Sequence, residues 1–381
     1  MREHAERVWQ CMMVFAGDAD ESAVRAVCED PQRVGLDDLL EAGVVDVEEA
    51  RLRYRLTAAP PPLGAAEEAA ARWRHAQHFA GVLADAARWW AEGGVGQQDA
   101  RDLMADEWDN IAAAQAWLAA RMATDADAAR LCLEYADVGS PLLAATDRGE
   151  AEARWREDAR RAARRLGDGV GEMRQLVRLG ALARDAQDIA RSSAHYAAAL
   201  ELAERLDEPV WQAGIVGELS EVRREAGDAA GAAAYAARQQ ALIVAAADPM
   251  GLLASLGHFY EDQGNPVRAG MWYEEAVQCA RAAQDAQAEL ALRFHALTAW
   301  LRARDVTRAL SGYAAALPLA EALRDQQAVG GLLYGKAVVL WRSGESAEAI
   351  STLRLAIAAL EACDDPVVAD ARDLLEEWQD A

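Results

Sequence analysis

The stretch that decides the fold is Leu256–Ala280, LGHFYEDQGNPVRAGMWYEEAVQCA. Two helical patterns flank a short polar turn at Asn265, and Ala269, Tyr273 and Ala276 follow that residue by 4, 8 and 11 positions. These three offsets lie on one face of an α-helix. The small residues let the preceding helix come close, and the aromatic ring fills the space beside them. The stretch therefore predicts a helix hairpin.

The same arrangement recurs along the chain. Polar turn residues stand 37 to 41 positions apart, each followed four residues later by a small side chain and eight later by a large one. Ala236 is the exception at the large position, eight residues after Asp228; at the position eleven residues after the turn, usually alanine, the exceptions are Asp158 and Gln239. Because one hairpin cannot bury its apolar face alone, the repeats predict a stack. The turn residues are Asp147, Asp188, Asp228, Asn265, Asp305 and Glu345.

This pattern resembles the tetratricopeptide repeat (TPR) family. In the clearest copy the small and aromatic positions of the family pattern are occupied by Gly257, Tyr260, Gly264, Ala269, Tyr273 and Ala276. The resemblance implies an all-α fold, a right-handed TPR-like α-solenoid whose concave face binds other proteins. The period near 40 exceeds the usual TPR length of about 34, so we expect longer helices.

The first 59 residues do not follow the repeat. Helical patterns cover about Arg2–Val14, Asp20–Cys28 and Leu36–Ala42, and strand patterns cover Val44–Val47 and Leu52–Leu56. Three helices and a hairpin predict a small winged-helix domain. After Pro60–Pro62 the pattern predicts two long helices, Ala65–Glu92 and Gln98–Met122, separated by a pair of glycines.

The front half also resembles the region that follows the nucleotide-binding domain in bacterial STAND signalling ATPases of the NB-ARC type. The segments that carry the resemblance are Glu6–Gly17, Leu39–Leu56, residues 72–80 (RWRHAQHFA) and Glu107–Leu118. It implies that the winged helix restrains a nucleotide-binding domain, which this sequence lacks, and that the repeats sense a trigger. The chain is then either a fragment of a larger ATPase or a stand-alone relative, and Met1 opening inside a family helix favours the fragment.

We therefore predict four regions: a winged-helix domain at 1–59, a helical adaptor at 60–124, about six TPR-like hairpins at 125–365, and a capping helix at 366–381.

Composition narrows the classes of function. The formal net charge of −24 repels phosphate backbones, so nucleic acid is an unlikely partner. The five cysteines are scattered and lack a CxxC pair, which favours buried thiols over disulfides or zinc. Neither a leader nor a membrane-spanning run is present in the sequence, so we expect a cytoplasmic protein without a membrane partner.

The sequence contains no complete catalytic motif. Gly330–Ala337, GGLLYGKA, nearly matches a P-loop, but alanine replaces the magnesium-binding hydroxyl and no strand precedes it. His75 and His78 lack further metal ligands, and the arginines between Arg154 and Arg165 are expected to pair with nearby acids. We predict a non-enzyme without cofactor or metal, and without ATP binding in isolation.

The predicted binding site lies on the first helix of each repeat, which lines the concave face of TPR arrays. Arginines and aromatic side chains recur there, and both are typical of binding hot spots. We hypothesise that a protein or peptide binds this face and that capture releases an attached or associated nucleotide-binding domain from the winged helix. The alternatives are a winged-helix transcription regulator with a TPR effector domain, or a stand-alone TPR adaptor. The candidate residues are Arg184, Glu221, Arg224, His258, Glu261, Phe294, Arg302, Tyr334, Trp341 and Arg342.

Overall fold

The computed structural model describes residues 2–380. The chain divides into two compact units, the first ending at Leu202 and the second beginning at Ala203. Helices dominate both units, and the fold is the all-α, TPR-like α-solenoid class that the repeat predicts. Within residues 2–380, no helix combines the length and the low polarity needed to cross a lipid bilayer.

The N-terminal region of unit 1 contains three helices and a small sheet. In order they are α1 (Glu3–Cys11), a 3-10 turn (Met12–Val14), β1 (Asp18–Asp20), α2 (Glu21–Val27), α3 (Val34–Glu41), β2 (Val45–Glu48) and β3 (Arg53–Leu56). The three helices and the β2–β3 hairpin lie where the sequence indicates. Strand β1 was not predicted; it pairs antiparallel with β3, which gives the strand order β1-β3-β2.

The adaptor helices differ from the prediction at one point. Helix α4 (Ala65–Glu92) has the predicted bounds, but the single helix expected over Gln98–Met122 is wrong, because α5 (Val95–Asp106) and α6 (Trp108–Arg121) are separate. The break occurs at Glu107, whose backbone leaves the helical region at φ −105°, ψ 2°. The Glu107 carboxylate is buried in an ion pair with Arg53 of β3, a contact that local sequence cannot reveal.

The repeats form helix hairpins followed by a final helix. Most of these helices are 17 residues long, which agrees with the long repeat period. Their bounds are α7 (Ala126–Ala145), α8 (Gly149–Leu166), α9 (Gly169–Asp185), α10 (Ile189–Arg205), α11 (Pro209–Glu225), α12 (Ala229–Ala245), α13 (Pro249–Asp262), α14 (Pro266–Ala282), α15 (Ala286–Arg302), α16 (Val306–Ala322), α17 (Gln326–Arg342), α18 (Ser346–Glu361) and α19 (Val367–Asp380).

Asx caps explain where many of these helices begin. Their side chains accept a hydrogen bond from the backbone amide three residues later, which satisfies one of the free amides of the first turn. In the turn at Asn265 the preceding Gly264 has φ +70°, a conformation that glycine adopts without strain. The capping residues are Asp168, Asp188, Asp228, Asp248, Asn265, Asp285, Asp305 and Asp325.

The small–large packing rule explains how the two helices of a hairpin come together. A Cβ placed on Gly180 or Gly257 would collide with the ring of Tyr196 or Tyr273, respectively. Both tyrosines stand eight residues after a turn marker, and both are buried. The glycine of one helix therefore makes the space that the aromatic side chain of the next helix occupies.

Candidate protein-binding site

The predicted binding residues are divided between the two units. Arg184 lies on α9 in unit 1, and the other nine lie in unit 2 on α11, α13, α15 and α17. Each belongs to the first helix of its hairpin. Within unit 2, the structure brings some of these residues into direct contact and assigns others to internal packing.

Three of the predicted residues meet on α13 and α15. Glu261 lies 3.4 Å from His258 and 3.7 Å from the Arg302 guanidinium. The tyrosine of the following helix joins them, because Gly257 leaves room for its ring: Tyr273 Oη donates to Glu261 Oε2 at 2.9 Å and lies 2.8 Å from His258 Nδ1. The result is a hydrogen-bonded cluster on the first-helix face, with exposed His258 and Arg302 side chains beside a half-buried carboxylate.

His295 extends this cluster, and the sequence did not indicate it. Its ring stacks on Tyr273 with centroids 5.2 Å apart and lies 5.1 Å from the ring of His258. Burial lowers the pKa of His295, and the neighbouring His258 acts in the same direction. Burial and the Glu261 carboxylate raise the pKa of Tyr273, so its phenol keeps its proton and remains a donor.

The aromatic residues near the end of the array are partly engaged already. Trp341 stacks face to face on Trp378 of α19, with ring centroids 4.4 Å apart and planes within 1°. Tyr334 and Phe294 are half-buried, whereas Arg342 is exposed. Trp341 therefore contributes to packing of the final helix, and its role in binding stays a prediction.

A cleft in unit 2 is a feature that the sequence analysis did not predict. It has a volume of about 1190 Å³ and lies along α11, α12, α13 and α14. Apolar side chains line it, among them Val244, which is 72% exposed, and Met271, which is 53% exposed. The predicted residues Glu221 and Arg224 also line it. An apolar floor beside a few polar groups is typical of ligand and peptide sites.

The cleft follows from the irregular repeat after Asp228. Ala236 stands where Tyr273 and Tyr313 stand in later repeats; those tyrosines are buried, but Ala236 is exposed and lines the cleft. Gln239 replaces the usual buried alanine, and its Nε2 donates to the Ala213 carbonyl at 2.8 Å. The missing ring leaves open the space that a side chain fills elsewhere. The sequence showed both exceptions, but not their consequence.

Paired charges form one wall of the cleft. Glu221 accepts from Arg268 at 2.8 Å and also contacts Arg224. Arg268 additionally pairs with Glu218, which is buried. Arg224 keeps 66% of its side chain exposed. Its guanidinium can therefore donate further hydrogen bonds to a carboxylate or a backbone carbonyl of a bound segment.

The P-loop-like segment has a packing role in the structure. It lies inside helix α17, without the strand–loop–helix context that phosphate binding needs. A Cβ on Gly330 would collide with Leu360, and one on Gly335 would collide with the Tyr313 hydroxyl. Lys336 pairs with Glu348 at 3.2 Å. These glycines allow close helix packing, as they do elsewhere in the array.

The remaining polar candidates are explained by packing and ion pairs. Among residues 2–380, no group of three or more His, Cys, Asp or Glu side chains could hold a metal ion. His75 is buried between Phe15 and Phe79. In the arginine run of α8, Arg160 pairs with Glu157, and Arg164 pairs with Glu172. The prediction of a face paired with nearby acids is confirmed for these residues.

Comparison with known proteins gives matches only among solved structures. No protein-family model and no curated protein matches the chain. A STAND protein with a tetratricopeptide repeat sensor from Pyrococcus horikoshii is 12% identical, with a TM-score of 0.32. The match covers 99% of this chain and 60% of the Pyrococcus chain. The chain thus spans less than two thirds of that protein.

Two further structures are similar at the same level. Aspartyl phosphate phosphatase F from Bacillus subtilis is 8% identical, with a TM-score of 0.33, covering 100% of this chain and 94% of its own. The TPR2AB domain of yeast Sti1, solved as a complex with pHSP90, is 15% identical, with a TM-score of 0.28. That match covers 80% of this chain and 99% of the Sti1 chain. At such identities and TM-scores these likenesses do not indicate what this chain binds or does.

Proposed function

We propose that this chain is a non-catalytic protein-interaction scaffold that binds a segment of another protein on unit 2. The observation that carries the proposal is the cleft beside Ala236, because it is open, apolar and lined by predicted binding residues. A partner side chain entering there would supply the ring that this repeat lacks. Burying such a side chain contributes about 1.5–3 kcal/mol.

The polar groups of the first-helix face would orient the bound segment. Arg224 lies at the cleft, and Arg302 lies beside Glu261 in the cluster on α13 and α15. Both guanidinium groups are about two-thirds exposed. Arginine donors favour carboxylates and carbonyl oxygens, so we expect a segment that combines a large apolar residue with acidic neighbours.

A sensor role in a STAND-type signalling ATPase is the second part of the proposal. It is supported by the ordered sequence resemblance of the N-terminal region and by the succession of helices, hairpin and repeats. In this scheme the N-terminal region is a winged helix that contacts an attached or associated nucleotide-binding domain in the cytoplasm. Capture of a protein or peptide trigger on the concave TPR face would release that domain. This coupling rests on analogy with the family.

The binding proposal is tested by restoring the missing ring. A peptide selected on the full chain from a displayed random library is measured by fluorescence anisotropy against wild type and two variants. Ala236→Tyr should weaken binding at least about tenfold, or about 1.4 kcal/mol, because the new ring occupies the cleft. Ala237→Tyr, on the same helix but outside the cleft, is the matched control and should bind as wild type.

A second variant distinguishes binding in the cleft from binding along the face formed by the first helices of the hairpins. Arg302→Glu should lower the affinity for a peptide that continues onto α15. It should not change the affinity for a peptide confined to the cleft. Thermal unfolding checks that Ala236→Tyr keeps its stability, as expected for the side chain type that other repeats carry there. Equal binding by wild type and Ala236→Tyr would contradict the proposal, as would equal losses from the two tyrosine variants.

A further inference from the structure

Two buried cysteines meet in the N-terminal region of unit 1. Cys11 is the last residue of α1, and Cys28 is the residue that follows α2. The Cys11 thiol donates to the carbonyl of Val27, the residue before Cys28, at 3.4 Å, and both cysteines line the same pocket. Both are reduced, and their exposed fractions are 5% and 7%. The sequence predicted isolated buried thiols, and the fold pairs these two.

A positively charged side chain and a small pocket adjoin the pair. Arg74 of α4 donates from Nε to the Val27 carbonyl at 2.7 Å, which holds its Nη2 at 4.0 Å from Cys11 Sγ. A pocket of about 220 Å³ opens on both thiols. This volume exceeds the roughly 30 Å³ that a water molecule occupies in liquid, so the pocket has room for a small oxidant beside the two cysteines.

The two thiols have unequal acidity. The neighbouring Cys28 thiol lowers the pKa of Cys11; burial acts in the opposite direction, and the charge of Arg74 lowers the pKa further. Burial raises the pKa of Cys28 well above its ordinary value. Cys11 is thus the more acidic of the two thiols, and Cys28 keeps its proton. An activated thiol beside a second, resolving thiol is the arrangement found in redox-sensing cysteine pairs.

We propose that Cys11 and Cys28 form a redox-active dithiol that hydroperoxides convert into an intramolecular disulfide. The Cys11 thiolate attacks one peroxide oxygen; the O–O bond breaks, hydroxide leaves, and Cys11 becomes a sulfenic acid. The Cys28 sulfur then attacks the Cys11 sulfur, the S–O bond breaks, and water leaves with the Cys28 proton. The two sulfurs together lose two electrons, which reduce one hydroperoxide.

Oxidation would join covalently two helices that the Cys11–Val27 hydrogen bond connects in the reduced protein. The disulfide would join the end of α1 to the end of α2, next to the Val27 carbonyl that anchors Arg74 of α4. This inference is independent of the peptide-binding proposal, because it concerns unit 1 and a different chemistry.

The test treats the full-length chain with hydrogen peroxide and maps its cysteines by mass spectrometry. Trypsin cleavage yields one peptide with Cys11, Val8–Arg25, and a second with Cys28, Ala26–Arg33. A disulfide therefore converts two separate peptides into one linked pair. Under non-reducing conditions we expect loss of both free peptides and appearance of that pair. In Cys28→Ser, Cys11 should stop at a sulfenic acid that dimedone traps, and Cys11→Ser should form no sulfenic acid at Cys28.

Cys132 is the internal control. It is buried in the same unit, and burial raises its pKa to about 12. Cys132 should therefore remain unmodified while Cys11 reacts. Oxidation of Cys132 at the rate of Cys11, or absence of the linked pair, would overturn the proposal.

A second probe does not depend on the variants folding. Phenylarsine oxide binds two neighbouring thiols, so on the wild-type chain it should block alkylation of Cys11 and Cys28 together and leave exposed Cys363 reactive. Alkylation of both cysteines in the presence of the arsenical would show that the sulfurs do not approach each other.

Discussion

Burial controls the protonation of His75. Its ring is 3% exposed, and burial lowers its pKa from an ordinary value of 6.5 to about 4. Between about pH 4 and 6.5 the unfolded chain carries a proton on this histidine and the folded chain does not. The contribution of neutral His75 to stability is therefore complete above pH 6.5 and is lost as the pH falls through about 4.

We predict a pH-dependent opening of α4 that depends on this histidine. Between pH 7 and about pH 5 the free energy of opening should fall by about 2 kcal/mol, measured by hydrogen exchange of α4 amides corrected for intrinsic rates. His75→Phe keeps an aromatic ring against Phe15 and Phe79 and should remove most of that fall. An identical fall in the variant would assign the titration to another group.

At the scale of the element, a hairpin depends on glycine and tyrosine fitting together. A Cβ on Gly257 of α13 would overlap the Tyr273 ring of α14. The same tyrosine carries the hydrogen bonds to Glu261 and His258. One glycine thus supports both the packing of the hairpin and the geometry of the polar cluster.

A pair of glycine substitutions tests this role. Gly257→Ala should destabilise unit 2 by about 1–3 kcal/mol, because the tyrosine must move. Gly331→Ala, in helix α17, meets no atom within 4 Å and should be neutral or stabilise by up to about 1 kcal/mol through helix propensity. Urea unfolding followed by circular dichroism compares the two. Equal changes in the free energy of unfolding would show that the Tyr273 ring does not fill the space above Gly257.

At the scale of the molecule, charge opposes binding to nucleic acid. The net charge is −24, and the third helix of the N-terminal region carries Asp37 and Asp38. Asp37 pairs with Arg33, and Asp38 pairs with Arg2, so arginines that could contact phosphates are already engaged.

We predict that duplex DNA does not bind the chain at about 0.15 M salt, measured by anisotropy of a labelled duplex up to micromolar protein. The same titration at low salt serves as the control, since nonspecific attraction would appear there first. Nanomolar binding with a steep salt dependence would favour the transcription-regulator alternative.

The sequence by itself determined the repeat architecture, because its signals are local. Asx caps start the helices, and residues 4, 8 and 11 positions after a turn lie on one helix face wherever the chain goes. Exceptions such as Ala236 were also visible in the sequence.

Only the tertiary structure decided what those exceptions and the isolated polar residues do. Whether Ala236 leaves a gap depends on whether the neighbouring helices move together to close it. Glu107, where α5 ends and α6 begins, pairs with Arg53, 54 positions earlier in the chain. Cys11 and Cys28 become a pair because the ends of two helices meet. Such contacts join residues distant in sequence, and no local spacing encodes them.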